Sequence, residues 1–247
     1  MSAIVFACVF GAAILGMYMS NFLPEDHLSE RSKDVIKLGM GLVATLSALV
    51  LGLLISSAKN SFDAQSTELT QSSAQIVFLD RILAHYGPET EKARGVLRTA
   101  VVSTLDTLWP TKRSTTMKLE ATRSSGIERL VDLIQELVPK DDTQRALKAQ
   151  ALNTAFNVGQ TRLLQFAQMN NSVPTPMLVI LVGWLVVLFF SFGLFAPRNA
   201  TVVACLFVAA LSVSAATLLV LELYSPFGGL IEVSSAPLRA ALSQLGN

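Results

Sequence analysis

Residues 38–58 read LGMGLVATLSALVLGLLISSA, 21 positions without a charge. Roughly 20 apolar residues at 1.5 Å rise cross a hydrocarbon core ~30 Å thick. Lipid offers no partners to free backbone groups, so such a run must be a helix. Three other runs meet the same test: Ser2 to Leu23, Met177 to Ala196 and Ala200 to Leu221. No alternating strand pattern appears anywhere. The expected fold class is all-α, an integral membrane protein with four transmembrane helices. Composition agrees, with 51% hydrophobic and only 15% charged residues, where soluble domains carry about 25% charged residues. Mean hydropathy is +0.51. A net charge of +1 gives no reason to expect a nucleic-acid partner.

The first run lacks the basic flank of a signal peptide and is longer than a usual signal core, so it reads as a retained helix. Only Pro197, Arg198 and Asn199 part the third run from the fourth, which makes them a tight hairpin. Pro174 and Pro176 mark the start of the third helix, where missing amide hydrogens cost least.

Between Lys59 and Ser172 the character changes. This segment holds 14 of the 19 Lys and Arg and 12 of the 18 Asp and Glu, so it faces water. Its pattern is helical. Phe62, Leu69, Ile76 and Leu83 fall at heptad spacing, which carries the second membrane helix outward as a rod. Gly87 and Pro88 end it. A second helix shows one broad apolar face through Ala93, Leu97, Val101 and Leu108. A third runs through Ile127, Leu130, Ile134 and Val138. A fourth, with N-cap oxygens from Asp141, Asp142 and Thr143, directs Leu147, Leu152, Phe156, Leu163 and Phe166 toward the third membrane helix. Lys112 to Ser125 reads as a loop. After the fourth membrane helix, Pro226 to Leu230 make a turn, and Leu238, Ala241 and Leu245 give a short helix an apolar face for the bilayer, the helical domain or a neighbouring subunit. The expected segments are 1–58 (two membrane helices), 59–173 (helical extramembrane domain), 174–224 (membrane hairpin) and 225–247 (turn and amphipathic helix).

Basic residues near the membrane divide four to three between the two sides, so orientation leans only on the neutral, cysteine-free character of the helical domain, which suits the cytoplasm. Cys8 and Cys205 lie in apolar runs and read as small buried hydrophobes. No nucleophile elbow, phosphate loop, dinucleotide fingerprint or zinc spacing appears. No enzyme activity, cofactor or metal is expected. His27 and His85 fall on opposite sides of the membrane, and His85 reads as an ordinary surface or packed histidine.

Small residues stripe the membrane helices: Gly41, Thr45, Ala48, Gly52 and Ser56 on the second, Cys205, Ala209, Ser212 and Ala216 on the fourth, Ala3, Ala7 and Gly11 on the first. Small residues allow close helix packing in lipid. They also suit a narrow pore wall. The second helix is the best pore candidate because hydroxyls and glycines share its stripe. Glu222 is the one ionisable residue near the membrane interior, and intramembrane carboxylates are functional suspects.

Several segments together resemble the bestrophin-like bacterial membrane protein family of unknown function. They begin at Lys33-Asp34-Val35-Ile36-Lys37-Leu38-Gly39 and run to Ser61-Phe62-Asp63. They resume at Leu79-Asp80-Arg81-Ile82-Leu83 and Tyr86-Gly87-Pro88-Glu89-Thr90, with Arg94 after them. They close with Leu221-Glu222-Leu223, Pro226-Phe227, Gly229-Leu230-Ile231 and the stretch from Ser234 to Leu238. Bestrophins are oligomeric anion channels, so the resemblance implies a homo-oligomer, a pentamer by that precedent, in a bacterial inner membrane and passing inorganic ions. It points to Asp80, Arg81, Tyr86, Gly87, Pro88, Glu222, Pro226, Phe227 and Gly229 as structural or gating residues, with Asp80 and Arg81 forming ion pairs. The aromatic rings of a bestrophin pore neck have no equivalent in this sequence. The other reading is a membrane scaffold or sensor whose helical domain recruits a protein partner.

Overall fold

A computed structural model describes residues 2–22, 30–109, 119–169 and 175–246. The described residues form helices α1 (Ser2–Met19), α2 (Glu30–Tyr86), α3 (Glu91–Leu108), α4 (Leu119–Gln135), α5 (Asp142–Met169), α6 (Thr175–Phe195), α7 (Ala200–Leu223) and α8 (Ala236–Gln244), with a short 3-10 turn at Pro88–Thr90. No strand occurs among them. Four helices are long and apolar enough to cross a bilayer: α1, α2, α6 and α7. The chain is an integral membrane protein. It divides into two compact units, residues 1–61 with 172–225, and residues 62–171 with 226–247.

In the first unit, α1 and α6 pack backbone to backbone. A Cβ on Gly16 would overlap the Phe190 carbonyl oxygen and lie 3.0 Å from the Leu194 nitrogen. A Cβ on Gly193 would overlap the Ala13 carbonyl oxygen. Their C-terminal ends meet, so the two helices run the same way. Arg198 donates to the Met17 carbonyl and to the Ser20 hydroxyl, satisfying the end of α1 with a cation where the helix dipole favours one. Phe6, Phe10 and Phe207 stack α7 onto α1 with ring centroids 5.4 to 5.7 Å apart. Asn199 caps α7, its side chain accepting from the Val202 amide at 2.9 Å.

The small-residue stripes expected on α1 and α7 are displaced from the seams that pack. Ala3, Ala7 and Gly11 are exposed, and α1 packs instead through Val9, Ala12, Ala13 and Gly16. Cys205, Ala209 and Ser212 are also exposed, and α7 buries Ala210, Ser214 and Thr217. Cys8 and Cys205 are exposed rather than buried. Lipid is as apolar as a core, so an outward-facing apolar side chain carries no penalty there, and composition alone does not show which face turns in.

In the second unit, the part of α2 beyond Ser61 packs with α3, α4, α5 and α8 around Leu79, Leu83, Leu97, Leu130, Ile134, Ala151 and Leu238. The heptad stripe lies inward, with Leu69, Ile76 and Leu83 buried. Ser73, polar on that stripe, turns its hydroxyl to the Leu69 carbonyl at 2.7 Å. Asp141 caps α5 by accepting from the Gln144 amide at 2.7 Å. Lys148 donates to the carbonyls of Gln135 and Leu137, closing the end of α4. The short helix α8 caps this unit, with Leu238, Ala241 and Leu245 buried.

One expectation here needs correction. Residues 119–125 belong to α4 and are not loop. Their sequence, LEATRSS, lacks large apolar residues at helical spacing, and no periodic signal marked them. Phe156 and Leu163 are exposed, at 55% and 72%. Helix α5 packs through Ala151, Thr154, Ala155 and Val158, with Leu147 and Leu152 partly buried against the same core. His27, Pro174 and the remaining loop positions 112–118 lie outside the described residues.

Candidate functional site

The membrane part of α2 turns three faces outward from its axis. Ser47, Leu54 and Ala58 are buried. Gly41, Thr45, Ala48, Gly52 and Ser56 are exposed together on a second face. Leu42, Leu49 and Leu53 are exposed on a third. At 100° per residue the small face and the leucine face lie about 80° apart. Only 11% of the apolar span of α2 is buried, against 39% for α6. Among the described residues, and apart from the adjoining backbone of α2 itself, nothing lies within 4 Å of a Cβ built on Gly41 or Gly52. The Thr45 hydroxyl donates to the Gly41 carbonyl at 2.9 Å, which leaves its oxygen lone pairs able to accept. At the far end of this segment the Ser57 hydroxyl meets the Tyr224 hydroxyl at 3.2 Å. Glu222 is half-buried on the last turn of α7.

The second unit holds the other singled-out residues. Asp80 is 3% exposed and takes both arms of Arg94, at 2.7 and 2.8 Å. Its partner is therefore Arg94 on α3, whereas Arg81, one residue along α2, is exposed. Side chains at adjacent helix positions point about 100° apart, so only one of the two can face α3. The Gly246 amide donates to the same Asp80 carboxylate at 3.4 Å. Tyr86, Gly87 and Pro88 form the turn out of α2. Gly87 has φ 136 and ψ 179, a region open essentially to glycine alone. The Thr90 hydroxyl lies 2.6 Å from the Leu83 carbonyl and 2.8 Å from the Gly87 carbonyl. The Gln144 side chain donates to the Tyr86 carbonyl at 3.0 Å. Lys140 bonds Glu89 across the turn, which holds the Glu89 carboxyl below its ordinary range and raises the Lys140 ammonium. Replacing Gly87 with alanine is expected to cost about 1–3 kcal/mol in backbone strain. Thermal unfolding of the detergent-purified variant measures it, and an unchanged midpoint would show that the turn relaxes freely.

Pro226, Phe227 and Gly229 make the bend that leads to α8. The Val233 amide donates back to the Pro226 carbonyl at 2.8 Å. The Trp109 indole donates to the Val233 carbonyl at 3.1 Å, and its ring meets Phe227 edge-on at 5.5 Å. Trp109 thereby ties the end of α3 to the bend before α8. Its role depends on a carbonyl 124 positions away, which no local signal reveals.

Known proteins share this architecture. A crystallised bacterial bestrophin homologue from Klebsiella pneumoniae superposes with a TM-score of 0.65 at 16% identity, covering 95% of this chain and 96% of that one. A point variant of the Klebsiella pneumoniae homologue gives 0.68 at 16% identity, over 98% and 97%. A further crystallised membrane-protein variant gives 0.69 at 14% identity, over 99% and 97%. No curated protein matches the chain. The sequence pattern of the Bestrophin-like domain family matches residues 7–238, nearly the whole chain, and the chain belongs to that family.

Proposed function

We propose that this protein is the subunit of a passive, anion-permeable ion channel, assembled as a homo-oligomeric ring, a pentamer by bestrophin precedent, in a bacterial inner membrane. The observation that carries this reading is the bare membrane segment of α2. An apolar helix that its own chain leaves almost uncovered needs lipid, a neighbouring copy or a pore beside it. In a ring the glycine and hydroxyl face of Gly41, Thr45, Ala48, Gly52 and Ser56 would turn to the axis. Small residues keep such a wall narrow, and outward oxygens line it without fixed charge. The leucine face, about 80° round the helix, would meet a neighbour or lipid. In the second unit, exposed Phe156, Leu163 and Leu164 on α5 offer apolar surface for further subunit contact. The extramembrane domain would then form a vestibule, cytoplasmic in our reading. Asp80, Arg81, Tyr86, Gly87, Pro88, Pro226, Phe227, Gly229 and half-buried Glu222 are proposed as residues that hold the channel's shape or gate it.

The test is ion flux from liposomes carrying the purified protein, with chloride and potassium gradients run separately. We expect chloride flux, and its loss in Gly52→Leu with the oligomer intact on gel filtration. Flux unaffected by Gly52→Leu would remove α2 from the pore wall. No flux from folded protein would favour a scaffold or sensor whose helical domain recruits a partner protein.

A further inference from the structure

Helix α2 serves as a ruler for depth. Its uncharged run ends at Lys59. At 1.5 Å per residue, Phe62 stands ~4.5 Å and Leu69 ~15 Å further along the helix. A headgroup layer is roughly 5–8 Å deep on each side of the hydrocarbon. Phe62 and Leu69 pack with Phe227 and Val233 of the bend before α8, so the base of that bend sits at the outer edge of the headgroups. The base is also fixed. The Val233 amide donates to the Pro226 carbonyl at 2.8 Å, closing residues 226–233 into a loop, and both residues are buried. Trp109 holds the loop from the side, through the Val233 carbonyl and the Phe227 ring.

The tip of the loop is apolar. Leu230 is 84% exposed and Ile231 36%. Apolar residues scattered singly over a water-facing surface are ordinary. Two adjoining ones, held on a fixed loop at headgroup depth, are not. The four residues from Pro226 to Leu230 can span ~13 Å, enough to carry the tip from the loop base to the acyl chains. Apolar side chains gain free energy on leaving water, and apolar faces lying on membranes enter the headgroup–acyl boundary by ~5–10 Å. The bilayer is also the apolar phase next to this loop in the chain, since the membrane helix α7 ends at Leu223, three residues before Pro226. The loop carries one carboxylate, Glu232, and no cation, so it has no charge with which to attract anionic headgroups.

We propose that the loop of residues 226–233 is a lipid anchor, with Leu230 and Ile231 inserted into the bilayer surface by apolar contact. The anchor is independent of whether the protein conducts ions. A nitroxide attached at Leu230→Cys tests it, in the full chain with Cys8→Ala and Cys205→Ala, reconstituted in phosphatidylcholine liposomes. The label's collision rates are read with oxygen, which concentrates in lipid, and with a nickel chelate, which stays in water. Two control labels calibrate the ratio. Val208→Cys is 60% exposed on the membrane helix α7. Val138→Cys is 81% exposed, two residues from Lys140, which bonds Glu89 beyond the far end of α2. We expect the oxygen-to-nickel ratio at Leu230 to lie close to that at Val208 and well above that at Val138. Adding anionic phosphatidylglycerol or salt should leave it unchanged. A ratio equal to that at Val138 would place the loop in water and overturn the proposal. Low collision rates with both reagents, together with spin–spin broadening, would mean that a second copy of the chain covers the loop, which also overturns it. A ratio that rises only with anionic lipid would refute apolar insertion.

Discussion

Gly193→Leu is expected to prevent accumulation of folded protein, and Gly193→Ala to lower stability by about 1–3 kcal/mol, the usual cost of forcing extra atoms into a packed core. The cause is specific. The Ala13 carbonyl already occupies the space that any Cβ on Gly193 would need, and Ala13 cannot withdraw because Gly16, one turn on, is pressed against Phe190 in the same way. Both obstacles are backbone, so no rotamer change relieves them. Gly183, on the same helix, has no described residue within 4 Å of its would-be Cβ beyond the adjoining backbone of α6 itself. Gly183→Ala is therefore the control and should leave stability unchanged. Denaturant unfolding in detergent, monitored by circular dichroism, would read all three. Equal effects of alanine at 183 and 193 would refute the close crossing of α1 and α6.

The ion pair of Asp80 and Arg94 should show an asymmetric response. Breaking a buried pair by removing one partner costs about 3–5 kcal/mol, because the other charge is left stranded. Stranding is unequal here: the Asp80 side chain is 5% exposed and the Arg94 side chain 23%. Arg94→Leu abandons a buried carboxylate, whereas Asp80→Leu leaves a guanidinium with a path to water. We expect Arg94→Leu to be the more damaging, toward the upper end of that range. The double variant should recover much of the loss, since no charge then remains buried. A double-mutant cycle by chemical denaturation measures all four forms. Strictly additive losses would mean that the two residues do not act as a pair.

These two cases also show where sequence reading succeeds and where it stops. The four spans were legible because an uncharged run of membrane length permits little else. The rod through Phe62, Leu69, Ile76 and Leu83 was legible because its heptad stripe is regular, and the turn after it because Gly87 and Pro88 both punctuate. The Gly16–Gly193 crossing was not. Gly11 and Gly16 look alike in an apolar run, as do Gly183 and Gly193, and only the position of the partner backbone separates them. Pairing Asp80 with Arg94 required knowing that α2 turns back into α3, whereas the adjacent Arg81 was the nearer cation on paper. The stripe on α2 was visible as a pattern, but a pattern of small residues marks seams and pore walls alike. Its bareness distinguishes it from the buried seam of α1, and bareness belongs to the fold.

The crossing of α1 with α6 also constrains how the protein is made. Gly16 and Gly193 are 177 positions apart (193 − 16). A ribosome adding roughly 5–20 residues per second needs on the order of 10–35 s to travel from one to the other. For that interval α1 must persist in the bilayer without the helix that will cover its Ala13 and Gly16 surface. It can do so because it contains no ionisable group other than Cys8 and Tyr18 and satisfies its own backbone. Assembly of this unit is therefore ordered in time, with an early helix waiting in lipid for a late one.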